Sequence, residues 1–134
     1  MSGEDRVAAL DRTLVRIVDQ AMAEAARRSG AWLACRLGCT QCCMGTFPIT
    51  QLDARRLRAG WKRLRESSPE RAQRVLELAR EAAAWYRPFF PGDAVNGVLS
   101  GVEEEEEAFH ELAGDDPCPA LNPKTGACEL YEWR

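Results

Sequence analysis

This 134-residue sequence predicts a mainly α fold: a small helical bundle of three or four helices, irregular loops and at most one short β-hairpin near Cys128. One domain spanning 1–134 is expected from the length. Three observations carry the prediction. Apolar residues return at helical spacing in three separate segments. Each of those segments is framed by residues that start or stop helices. Gly38 and Gly45 bracket Cys39 to Cys43, and Pro117 and Pro119 flank Cys118, where they break or exclude helix.

The first helix is predicted over 5–29, where Val7, Leu10, Leu14, Ile17, Val18, Ala21, Met22 and Ala25 share helical spacing. Gly30 follows Arg27 and Arg28, cations suited to a helix C-terminus, and supplies the stop. Met22 reads as a core residue rather than a thioether ligand. Phe47-Pro48-Ile49 is extended. Thr50, with Asp53 three residues on, forms a capping box for a helix over about 51–66, with Leu57, Trp61 and Leu64 on one face. Its many arginines read as a solvated face. Ser68 as N-cap and Pro69 at the first helical position start the next helix, which runs to about Tyr86 and is stopped by Pro88. Val75, Leu76, Ala79, Ala82, Ala83 and Tyr86 form its buried stripe, and the two helices make an αα-hairpin. Phe89 and Phe90 are expected to cover the core, and the four tryptophans to help fill it. Asn96, Gly97, Ser100 and Gly101 argue against helix until Val102, after which Glu103 to Ala113 predicts a short one stopped by Gly114.

Four of the six cysteines, Cys35, Cys39, Cys42 and Cys43, fall within nine residues. Thiolates are soft ligands that select zinc, Cu(I) and iron–sulfur clusters. The charged N-terminus (Glu4, Asp5, Arg6) and the absence of an apolar signal-peptide stretch predict a cytoplasmic chain, where clustered cysteines bind metals more often than they form disulfides. An even count of six leaves a disulfide framework open. On one straight helix Cys35 and Cys42 would stand about 10 Å apart along the axis. Thiolates on a single zinc are only about 4 Å apart. The chain must therefore bend, with Gly38 as the natural point, or the bound group must be larger than one ion. Adjacent Cys42 and Cys43 diverge, so one ligates while the other packs, or the two serve different metals.

Cys118 and Cys128 form the second group. Pro117 and Pro119 keep Cys118 extended, and the turn Asn122-Pro123-Lys124-Thr125-Gly126 folds Cys128 back towards it. The two groups are expected to share one site. His110, the sole histidine, reads as a surface residue on a charged helix rather than a fourth ligand.

The combination Cys35-x3-Cys39-x2-Cys42-Cys43, then Cys118-Pro119-x-Leu121, then Cys128-x-Leu130-Tyr131-x-x-Arg134 resembles the YkgJ-type CxxCxxCC cysteine-cluster proteins. That family is described as a zinc- or iron-chelating domain, mostly without an assigned reaction. The resemblance spans about 25 residues at the two ends of the site. It implies metal ligation by Cys35, Cys39, Cys42, Cys43, Cys118 and Cys128. The family pattern continues past the arginine with a proline and a further cysteine followed by arginine. The sequence given stops at Arg134, so either it is truncated short of that cysteine or this member uses fewer ligands. Some larger proteins with a similar cluster, such as flagellin lysine methylases, attach enzymatic regions that this chain is too short to hold.

A net charge of −3 gives no global case for nucleic acid or an anionic membrane surface, and no apolar run is long enough for a membrane span. No Gly-rich nucleotide loop, nucleophile elbow or Cys/His catalytic pair is present. The expected function is chelation of zinc or an iron–sulfur cluster. Two alternatives stand beside it: an iron–sulfur redox enzyme or enzyme accessory subunit, and a partner-binding module stapled by its metal.

Overall fold

A computed structural model describes residues 2–33 and 39–133, with Cys42 described through its backbone. The chain divides into two compact units, Met1–Arg36 and Leu37–Arg134.

In the first unit, α1 spans Gly3–Ser29. Ser2 and Asp5 cap each other reciprocally at its start, and the Gly30 N–H bonds back to the Ala26 carbonyl at its end. The predicted apolar stripe is there, but it is not a core: the helix buries none of its residues, and Met22 is 57 % exposed. Periodicity reports which side chains share a face; it does not supply the surface that covers them.

The second unit is built on a helical hairpin. α2, Gln51–Ser67, begins with the predicted capping box: Thr50 accepts from the Asp53 N–H while the Asp53 carboxylate accepts from the Thr50 backbone. α3 spans Pro69–Tyr86. Ser68 joins the two through its backbone. Its N–H closes α2 on Leu64 and its carbonyl accepts from Ala72, while its hydroxyl makes no cap bond, contrary to expectation. The helices fold back on each other around Leu64, Ala72 and Val75, and the Trp61 indole N–H donates to the Ala72 carbonyl at 2.8 Å. Burying Leu64, 2 % exposed, contributes about 1.5–3 kcal/mol. On α3, Ala72 takes the inner position, whereas Ala83 faces solvent. Only Trp61 and Trp133 pack against the core; Trp32 and Trp85 are 94 % and 65 % exposed.

Beyond α3 a 3₁₀ turn, Arg87–Phe89, leads into a two-stranded antiparallel hairpin, β1 Gly92–Asp93 with β2 Val98–Leu99. The hairpin lies here rather than near Cys128, where a single antiparallel bridge joins Leu121 to Cys128. Asp93 explains the position. Its carboxylate accepts from the Val95 and Asn96 N–H groups and the Asn96 amide, which closes the turn. These bonds hold the Asp93 carboxyl below its ordinary range, the Asn96 side chain contributing most.

α4, Glu103–Leu112, packs through Phe109, which meets Tyr86 and Phe90 edge to face at 5.4 and 5.7 Å. Phe90 thus covers the interior as expected, while Phe89 stays 53 % exposed. The described structure is mainly helical, with four α-helices and one minimal sheet. Among the described residues no helix is long and apolar enough to cross a membrane.

Candidate metal centre

The two cysteine groups meet through their backbones. Cys43 closes a 3₁₀ turn, Gln41–Cys43, and its carbonyl accepts from the Cys118 N–H at 2.6 Å. Two residues on, the Gly45 N–H donates to the Asp116 carbonyl at 2.8 Å. These two bonds flank an antiparallel bridge between Met44 and Pro117. Pro117 has no N–H, so the ladder uses the Cys118 N–H on one side of it and the Asp116 carbonyl on the other.

Gly45 makes this approach sterically feasible. Its φ is +80°, and a Cβ there would stand 3.2 Å from the Gly114 carbonyl oxygen. The segment therefore crosses directly over the end of α4, where Ala113 is fully buried.

The C-terminal pair is held in a closed loop. Within 118–131, Leu121 donates to the Cys118 carbonyl, Asn122 to Ala127, Gly126 to Asn122, and Tyr131 to the Cys128 carbonyl. The turn predicted at Asn122–Gly126 is present, with Lys124 N–H on the Asn122 side-chain oxygen. Cys118 and Cys128 both pack against the core formed by Leu64, Ala72, Val75, Ala120 and Leu130.

Two polar contacts anchor this loop to α3. The Glu129 carboxylate, beside Cys128, accepts from Arg71 Nε at 2.5 Å and from the Asn122 amide at 3.0 Å, with Arg74 3.5 Å away. Burial raises the Glu129 pKa. The Arg71 and Asn122 hydrogen bonds and the charges of Arg71 and Arg74 outweigh it and hold the carboxyl below its ordinary value. The Tyr86 hydroxyl donates to Asp116, two residues before Cys118. Burial first, then the hydrogen bond and charge of Asp116, push its pKa up to about 12, so it remains a donor at neutral pH.

Of the six predicted ligands, Cys39, Cys43, Cys118 and Cys128 carry partly buried thiols. Cys35 and the Cys42 side chain lie outside the described residues, as does Gly38, the expected bend. The backbone joins Cys43 to Cys118 and Leu121 to Cys128. Among the described residues no three His, Cys, Asp or Glu side chains converge on one metal position. Thiols are soft donors, and Cys43 and Cys118, one from each group, are joined by a backbone hydrogen bond. His110 stands apart: it is exposed, and its Nδ1 lies 2.5 Å from the Thr46 carbonyl.

Sequence reasoning missed the anchors Arg71, Tyr86 and Asp116, and above all Glu129. One signal was available: a single charge inside the run Ala127-Cys128-Glu129-Leu130 is out of place unless paired. Comparison with protein-family models, curated proteins and solved structures finds no match.

Proposed function

We propose that this chain is a cytoplasmic metal-binding protein that chelates zinc or an iron–sulfur cluster through thiolates of Cys35, Cys39, Cys42, Cys43, Cys118 and Cys128. One observation carries the reading. Cys43 and Cys118, far apart in sequence, are hydrogen-bonded neighbours, and Gly45 and Pro117 are shaped to let them meet. The likeness of the cysteine spacing to the YkgJ-type cluster proteins agrees with it. A reducing compartment keeps such thiols available for metal.

The test is elemental analysis and an absorption spectrum on anaerobically purified protein. About one zinc per chain in colourless protein identifies a structural or carrier site. Iron with matching sulfide and thiolate-to-iron absorption identifies a cluster. Cys39→Ser and Cys118→Ser should each strongly lower the metal content, while His110→Ala should leave it intact. Unchanged stoichiometry in both cysteine variants would sink the shared site. Absence of both metals would end the reading.

A further inference from the structure

A cleft of about 910 Å³ lies between the segment after the cysteines, the β1–β2 hairpin and α4. Its apolar surface is open to solvent: Phe47 is 62 %, Ile49 47 % and Val98 48 % exposed. Isolated apolar residues on a surface need no explanation, but these line one concavity. The opposite wall is acidic. Glu103, Glu106 and Glu107 face the cleft from α4, and among the described residues no lysine or arginine lines it. Glu106 is engaged locally, accepting from the Gly101 N–H at 2.9 Å. Glu103 and Glu107, one helical turn apart, form a short carboxylate row along the wall. His110 Nδ1 against the Thr46 carbonyl ties the acidic wall to the apolar one and fixes the spacing between them.

From this pairing of an apolar wall with an uncompensated carboxylate row, we infer that the cleft docks an extended segment of a partner protein in which lysine or arginine alternates with aliphatic residues. Alternate side chains of an extended strand point to opposite sides, so one set fills the space beside Phe47 and Ile49. The cations of the same segment lie within reach of α4. Electrostatic complementarity selects the basic partner, and the apolar contacts hold it. The inference does not depend on the thiolate reading, because none of the described cysteines, Cys39, Cys43, Cys118 and Cys128, lines the cleft.

The test is fluorescence anisotropy of the full chain with a fluorescein-labelled peptide of alternating leucine and lysine. Two further peptides replace leucine by serine or lysine by glutamate. The leucine–lysine peptide should bind, and each of the others should bind about tenfold more weakly or worse. Glu103→Gln with Glu107→Gln, and separately Ile49→Ser, should weaken the leucine–lysine peptide by about tenfold, whereas Glu77→Gln with Glu81→Gln on α3 should not. Circular dichroism checks that the variants keep their helices. Equal binding of the serine–lysine peptide would mean simple ion exchange and overturn the inference. An equal effect from the α3 variant, or no binding at all, would overturn it too. Sedimentation of the chain alone gives the remaining outcome: a dimer dissolved by Ile49→Ser would assign the cleft to a second copy instead.

Discussion

Glu129 is the buried charged residue among those described, 7 % exposed, and it sits next to a predicted metal ligand. A carboxylate taken out of water is costly unless hydrogen-bonded and paired, and here Arg71, Arg74 and Asn122 do both. Its pKa is depressed by those partners despite burial. Its contribution to stability is therefore full above the unfolded carboxyl value of about 4.3 and is lost as pH falls through the lower folded value. Replacing Glu129 with Gln should cost about 1–3 kcal/mol at pH 7, read from urea unfolding. The gap between variant and parent should narrow near pH 3; an equal gap at both pH values would remove the electrostatic account. Tyr86 has the opposite slope. Its raised pKa means that the Asp116 contact is intact below pH 10 and fades as pH climbs towards about 12.

At the scale of elements, α2 and the C-terminal turn meet at one point. Gly60 is buried in α2, and a Cβ there would stand 2.4 Å from the Trp133 ring. In an isolated helix, glycine to alanine would stabilise by about 1 kcal/mol. Against the Trp133 ring the sign reverses, because overpacking costs about 1–3 kcal/mol. Gly60→Ala should therefore lower the thermal midpoint and change the tryptophan fluorescence. A raised midpoint would show that Trp133 yields without loss. The position of α2 itself was legible in the sequence, since Thr50, Asp53 and the spacing of Leu57, Trp61 and Leu64 are local signals. The need for glycine at 60 was not, because the ring it meets lies far along the chain. The same distinction explains α1. Its cap and stripe could be read, but nothing local says what a stripe meets. It also explains the hairpin, which was displaced from Cys128 to Gly92–Leu99 because Asp93 closes a turn through bonds that composition alone does not reveal.

At the scale of the molecule, the cysteine spacing suggested a site, and the structure joins Cys43 to Cys118 by a backbone hydrogen bond. If thiolates from both halves share a metal, binding is coupled to folding of the Leu37–Arg134 unit. A ligand present at about a thousand times its Kd adds roughly 4 kcal/mol to the native state. Stripping the metal with a chelator should then lower the unfolding midpoint by about 10 °C or more, followed through Trp61 and Trp133 beside the core. An unchanged midpoint on verified metal loss would separate metal binding from the fold. The cleft beside α4 was not legible beforehand. Its walls come from three segments, and only their assembly turns a run of glutamates and the stretch Phe47-Pro48-Ile49 into one concavity.

The hydrogen bond from Cys118 to Cys43 also sets a schedule. During synthesis the first four cysteines leave the ribosome about 75 residues before their partner strand exists. At ~5–20 residues per second that interval lasts roughly 4 to 15 s. Throughout it, Cys43 lacks the Cys118 rung, and for most of it Gly45 lacks the end of α4 that it crosses. A nascent chain of this design presents its first cysteines to passing metals and oxidants before the bond from Cys118 to Cys43 can form. The order of translation, as much as the finished geometry, decides what those thiols meet first.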